Sequence, residues 1–212
     1  MPERQFAAMA QVAGILGAGG DRLLQAPHAV LDVAALDVGD RDQRLGRHEV
    51  GVALQRLLRL LAGAPAGRLS FTLVDPVELG RSFSGFMHLA DYDDRLINSR
   101  IWTQPAQIEQ QLALLNDQIE KVSQMYLRNE FATVADYNAQ AGRIAERFHF
   151  LVVADFPANF SDTALRRLAS IVAGGARCGV HVLLHWDQRK VATAELPSEG
   201  LREGSANVRR EG

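Results

Sequence analysis

Phe148-His149-Phe150-Leu151-Val152-Val153-Ala154-Asp155 is the stretch that decides the fold. It is apolar almost without interruption from Phe148 to Ala154 and shows no clean alternation, so it reads as a strand covered on both faces of its sheet. Three other short runs read the same way: Ala29-Val30-Leu31-Asp32-Val33, Leu69-Ser70-Phe71-Thr72-Leu73-Val74 and Val180-His181-Val182-Leu183-Leu184. The run closes on Asp155, which puts a carboxylate where open parallel sheets bind their ligands. Two readings of Asp155 stand side by side: a ligand-facing acid, or the start of an Asp155-Phe156-Pro157-Ala158-Asn159 turn.

Helical patterns separate these runs. Val50, Leu54, Leu57, Leu58 and Leu61 form one apolar stripe that ends at Gly63. Ile108, Leu112, Leu115, Ile119, Val122 and Tyr126 form a longer one, opened by Thr103 and Pro105. Leu165, Leu168, Ile171 and Val172 form a third, with Ser161 as N-cap and Gly174-Gly175 as the stop. Strands alternating with helices imply parallel pairing through right-handed crossovers, hence an α/β, doubly wound, mostly parallel sheet. Residues 80–100 read as loop. Residues 1–26 read as an N-terminal helical extension, 27–193 as the domain, and 194–212 as a flexible tail or truncated strand.

Composition narrows the function classes. The 212 residues are 47% hydrophobic and 23% charged with a net charge of -2, which gives no support to a strongly basic nucleic-acid surface. Lysine occurs only at Lys121 and Lys190, so the cationic charge is almost all arginine. Cys178 is the only cysteine, which excludes an intramolecular disulfide and a thiolate metal cluster. The start of the chain does not read as a signal peptide, and no window approaches the ~18 apolar residues of a membrane span. The expectation is a cytoplasmic protein without membrane insertion.

The segment from Gly67 to Gly80, with Asp75-Pro76 and Glu78-Leu79, resembles the strand of the FtsK/SpoIIIE DNA-translocase ATPases that runs into Asp-Pro-Lys and Glu-Leu, with Val77 at the lysine position. Phe86-Met87-His88-Leu89 is similar to that family's Pro-His-Leu turn. Leu127-Arg128-Asn129 and Ala135-Asp136-Tyr137-Asn138 are similar to its Arg-Asn…Tyr-Asn block. The Asp155 strand follows, then Cys178-Gly179-Val180-His181-Val182-Leu183-Leu184, which resembles the strand before the family's Ala-Thr-Gln-Arg sensor, with Gln188-Arg189 near the sensor position. The resemblance spans about Leu69 to Arg189. It implies a P-loop NTPase domain of RecA/FtsK-like type, ATP and magnesium as cofactors, and Asp155 as the magnesium-side aspartate. It also implies a ring built from copies of itself or other FtsK-like ATPase domains, with double-stranded DNA in its pore.

The hydrolytic parts depart from that pattern. A P-loop needs G-x-x-x-x-G-K-[ST], so that backbone amides cradle the phosphates, lysine reaches the terminal ones and a hydroxyl holds magnesium. Here Gly46 stands at the last loop glycine, Arg47 at the lysine and His48 at the hydroxyl residue. Phe156 stands at the catalytic glutamate, and His185-Trp186-Asp187-Gln188 at the sensor, leaving Gln188 as the sensor-like residue. The resemblance therefore points to a degenerate ATPase, with Gly46, Arg47, His48 and Asp155 as its nucleotide-contacting positions. Arg177, preceding the last strand, is the candidate trans-acting arginine. Arg166-Arg167 read as a solvated helix face. His181 and His185 read as core or strand-end histidines. Asp91-Tyr92-Asp93-Asp94 reads as a solvated loop, since Leu96 stands where a calcium loop requires glycine. An active DNA translocase subunit is the first alternative. An unrelated α/β enzyme or ligand binder using Asp75, His88 and Asp155 is the second. The resemblance also places the end of the chain, near Ala206-Asn207-Val208, where the family enters its final strand.

Overall fold

The computed structural model describes residues 34–38, 67–91, 93, 95–128, 130–187 and 208–209, the segments 34–38 and 208–209 and residues 99, 186 and 187 through their backbone alone. Six strands form one sheet in these residues: β1 (Ala34–Val38), β2 (Leu69–Val74), β3 (Ile97–Trp102), β4 (Phe148–Phe156), β5 (Val180–Asp187) and β6 (Val208–Arg209). Their order is β3-β2-β4-β5-β1-β6, and every pair is parallel. The helices are α1 (Pro105–Met125), α2 (Val134–Ala141) and α3 (Asp162–Gly174).

The uninterrupted apolar character of β4 follows from burial on both faces. Leu151 and Val153 point with Val74, Val182 and Leu184 into the core under α1 and α3. Phe150, Val152 and Ala154 point the other way, with Phe71, Leu73 and Leu183, under Phe83, Phe86 and Leu89. Among the described connections, α1 and α3, which lead towards β4 and β5, lie on one face, and the Arg81–Asp91 segment that leads into β3 lies on the other, as right-handed connections require. The doubly wound parallel architecture expected from the pattern is thus present.

One expectation needs correction. Residues 80–100 are not loop: Arg81–Asp91 is a 3-10 helical run, and β3 begins at Ile97. Phe83, Phe86 and Leu89 recur every third residue and are buried together, which suits a helix of three residues per turn better than one of 3.6. The β3 sequence hides its state because Asn98 and Arg100 are polar, and a strand at the sheet edge need not be apolar throughout. The expected strand Ala29–Val33 and the stripe from Val50 to Leu61 lie outside the described residues; the first strand described is Ala34–Val38. In the expected tail, Val208–Arg209 pairs with β1.

Ser161 caps α3 as expected, its Oγ accepting the Ala164 N–H at 3.1 Å, and the helix ends at Gly174. Arg167 is no solvated residue. Its guanidinium donates to the Glu109 carbonyl at 2.9 Å and to Glu109 Oε1 at 3.3 Å, while Ser161 Oγ donates to Oε2 of the same glutamate. This clamp joins α3 to the first turns of α1. Because the pair is about one-third exposed, Arg167→Ala is expected to cost only about 1 kcal/mol in urea unfolding, mostly through the lost carbonyl hydrogen bond.

Candidate functional site

Parallel strands bring their C-terminal ends to one edge, and there the chain collects Asp75, Asp155, Asn159 and His185. The strand β4 reaches that edge irregularly. Val153 pairs with Leu184 and Phe156 with Trp186, so Ala154 and Asp155 together oppose His185 alone. This is a β-bulge, a device that re-aims one side chain without ending the strand. Asp155 takes a φ of 53°, in the left-handed region that aspartate tolerates better than most residues. The bulge leaves Val153 and Phe156 in the α1/α3 core and Ala154 in the opposite one. The Asp155 carboxylate stays 24% exposed at the edge.

His185 is its neighbour. Its side chain is only 9% exposed, with Nδ1 3.2 Å from the Asp155 amide nitrogen and 3.4 Å from Oδ1. These contacts exclude one another chemically. Accepting the amide N–H requires a lone pair on Nδ1, whereas an ion pair with the carboxylate requires a proton there.

The turn after Asp155 is braced against two neighbours. Phe156-Pro157 is a cis peptide, and Asn159, at φ 60°, donates from Nδ2 to the carbonyls of Thr103 at 3.2 Å and Pro76 at 3.4 Å. One side chain thereby links the ends of β4, β3 and β2. Phe156 itself is wholly buried, edge-on to Phe160 at 5.1 Å.

Asp75 is fully buried and turned inward. Oδ1 accepts the Glu78 N–H at 3.0 Å, and Oδ2 accepts those of Gly80 at 3.1 Å and Ser82 at 3.0 Å. Its own amide donates to the Trp102 carbonyl at 2.9 Å. The charge is thus spent on closing the Asp75–Gly80 turn, as an internal anion in a ring of amides. His88 is exposed and lies 3.7 Å from Asp91 of its own segment. Asp75, His88 and Asp155 therefore do not form one reactive group.

Arg177 is exposed in the short 3-10 turn Ala176–Cys178 that precedes β5, at the sheet edge opposite Asp155. It cannot serve the Asp155 edge of its own molecule. Gly46, Arg47, His48 and Gln188 lie outside the described residues. His181 is a core histidine, stacked on Phe150 at 5.2 Å. Among the described residues no three His, Cys, Asp or Glu side chains are placed to hold a metal ion. The residues that pattern reading missed are His185, as partner of Asp155, and Asn159, as brace. The first had no signal within either strand, because the register of β4 on β5 is what sets His185 beside Asp155. An asparagine closing a turn was the signal for the second.

No family model matches the chain, and no curated protein matches it. Among solved structures the chain is similar to the pCW3 conjugation coupling protein TcpA, in its monomer form with ATPγS, at a TM-score of 0.59 and 13% identity. The likeness covers 85% of this chain and 49% of that one, so this chain spans about half its length. At that identity the fold is what is shared: a parallel α/β sheet with flanking helices, as in a P-loop ATPase structure.

Proposed function

We propose that this chain is a degenerate FtsK/SpoIIIE-like P-loop domain, kept as a structural or regulatory module of a DNA-translocase-like assembly in the cytoplasm. The observation that carries this reading is Phe156. The residue after the magnesium-side aspartate, where the resembled family places its catalytic glutamate, is a phenylalanine with no exposed surface, packed into the α1/α3 core. No rotation of that side chain brings a base to the sheet edge, so position 156 offers no group to orient an attacking water. His185 adds to this by leaning on Asp155 from the position of the sensor strand.

The fit of magnesium is correspondingly narrow. Asp75 is consumed by three amides, which leaves Asp155, partly exposed on its bulge, as the strand-end carboxylate beside His185. One carboxylate suits a magnesium ion held mainly by nucleotide phosphates and water. Asp155 would then orient one of the ion's waters, and the ion would supply charge neutralisation at the phosphates. Arg47 and His48 would meet the nucleotide without reproducing the lysine and hydroxyl contacts.

The test is phosphate release from ATP by the purified chain, with and without double-stranded DNA, beside an Asp155→Ala control. Turnover no higher than the control is expected. ATP turnover that DNA stimulates and Asp155→Ala abolishes would instead make the chain a working translocase subunit, a reading favoured by the preserved exposure of Asp155 on its bulge. DNA affinity that falls linearly with salt on a log–log plot would belong to that second outcome.

A further inference from the structure

The Asp75–Gly80 turn contains a residue that neither conformational preference nor burial accounts for. Leu79 has a φ of 52° and is 79% exposed. Left-handed backbone is disfavoured for a leucine, and a side chain in water recovers nothing by burial. The turn is nonetheless tied down at several points. The Asp75 carboxylate holds the amides of Glu78, Gly80 and Ser82, and Asn159 ties the Pro76 carbonyl. Val77, 47% exposed, and the exposed Glu78 complete the tip. Backbone strain that a fold fixes firmly, at a residue whose side chain is left in water, is a pointer to function.

Its counterpart lies at the other edge of the sheet. Ile144 is 73% exposed in the turn Gly142–Ile144 that leads into β4. Leu79 and Ile144 are the two most exposed large apolar side chains among the described residues. Each follows an exposed charge, and the charges are opposite: Glu78 before Leu79, Arg143 before Ile144. Strands β2 and β4 are adjacent and parallel, with Leu69 opposite Phe148. The acidic-apolar tip therefore stands beyond the end of β2, and the basic-apolar turn before the start of its neighbour β4. Opposite edges of one sheet cannot touch within a molecule, but they meet when two molecules stack along the strand direction.

We propose that the Val77–Leu79 tip of one copy docks on Arg143 and Ile144 of a second copy, head to tail. Such a contact is heterologous: each pair leaves one free tip and one free receptor, so it extends to a ring or a row. With a few apolar side chains and one exposed charge pair it is weak and salt-sensitive. The proposal rests on the reading of the chain as an assembly module, but its test needs neither nucleotide nor DNA. ATP turnover would overturn the first reading and leave this contact standing.

The test is sedimentation velocity over a concentration series at low and high salt. Wild-type protein is expected to associate reversibly, and Leu79→Asp or Ile144→Asp to weaken association about tenfold or more, the scale of one interface anchor. Mixing the two variants is expected to give dimers and nothing larger, because one intact tip then faces one intact receptor. The double variant Glu78→Arg/Arg143→Glu is expected to associate better than either single reversal. Leu79→Asn separates this role from a structural one: relief of the backbone raises its melting temperature while association falls. Wild-type protein that stays monomeric throughout, or association that ignores Leu79→Asp, overturns the proposal.

Discussion

Asp75→Ala is expected to lower the free energy of unfolding by about 3 kcal/mol, the largest single effect away from the apolar core. The substitution takes one carboxylate from three amides, those of Glu78, Gly80 and Ser82, in a side chain with no exposed surface. Charge-assisted hydrogen bonds are roughly twice as strong as neutral ones, and the Gly80 amide would be orphaned in a buried place. Asp75→Asn keeps one acceptor oxygen and is expected to lose about half as much. Urea unfolding of the three proteins measures both. A loss below about 1 kcal/mol for the alanine variant would show that water replaces the carboxylate freely. The effect should also reach Asn159 through the Pro76 carbonyl, loosening the turn that carries Asp155.

The second large effect is a dependence on pH carried by His149. This residue is buried on β4, with Nδ1 2.7 Å from Ser70 Oγ and Nε2 2.9 Å from Thr72 Oγ1. Burial disfavours the imidazolium and lowers the pKa from 6.5 to about 4. The unfolded chain takes up a proton as pH falls below about 6.5, whereas the folded one does not until about 4, so protonation favours unfolding across that window. The stability present above pH 6.5 is therefore lost on acidification, by about 3 kcal/mol once the lower pKa is passed. The proof is the slope of unfolding free energy against pH. His149→Gln is expected to be less stable at neutral pH yet to lose close to one proton's worth of slope between those limits. An unchanged slope in the variant would assign the acid sensitivity to other groups.

How much of this could be read from sequence depended on what each residue type can hide. Strands β2, β4 and β5 were legible because double-sided burial leaves an apolar run that little else produces. Ser161 and Gly174 marked α3 for equally local reasons. Strand β3 was not legible, because at the edge its polar residues find other uses: Asn98 bonds Gln111, and Arg100 lies over the Trp102 ring at 4.5 Å. Arg167 was misjudged because a helix-surface arginine looks alike whether it meets water or Glu109. At the site, Asp155 was found from its place at a strand end. Its bulge and its contact with His185 were hidden, since both depend on the register between β4 and β5, which neither strand's own pattern sets.

One feature of the sheet bears on how the protein comes to exist. Strand β1 sits between β5 and β6, with Ala34 opposite Leu183, so its first described partner lies almost at the other end of the chain. A ribosome adding roughly 5–20 residues per second leaves β1 waiting on the order of 10 s or more before β5 is made. During that interval β2, β3 and β4 can already pair with one another, so the sheet acquires its flank before its interior. The apolar segment Ala34-Ala35-Leu36-Asp37-Val38 is then the stretch most in need of shelter on the nascent chain. Slow synthesis or a shortage of chaperones should show itself there first, as misfolding that begins with an unfilled slot beside β5.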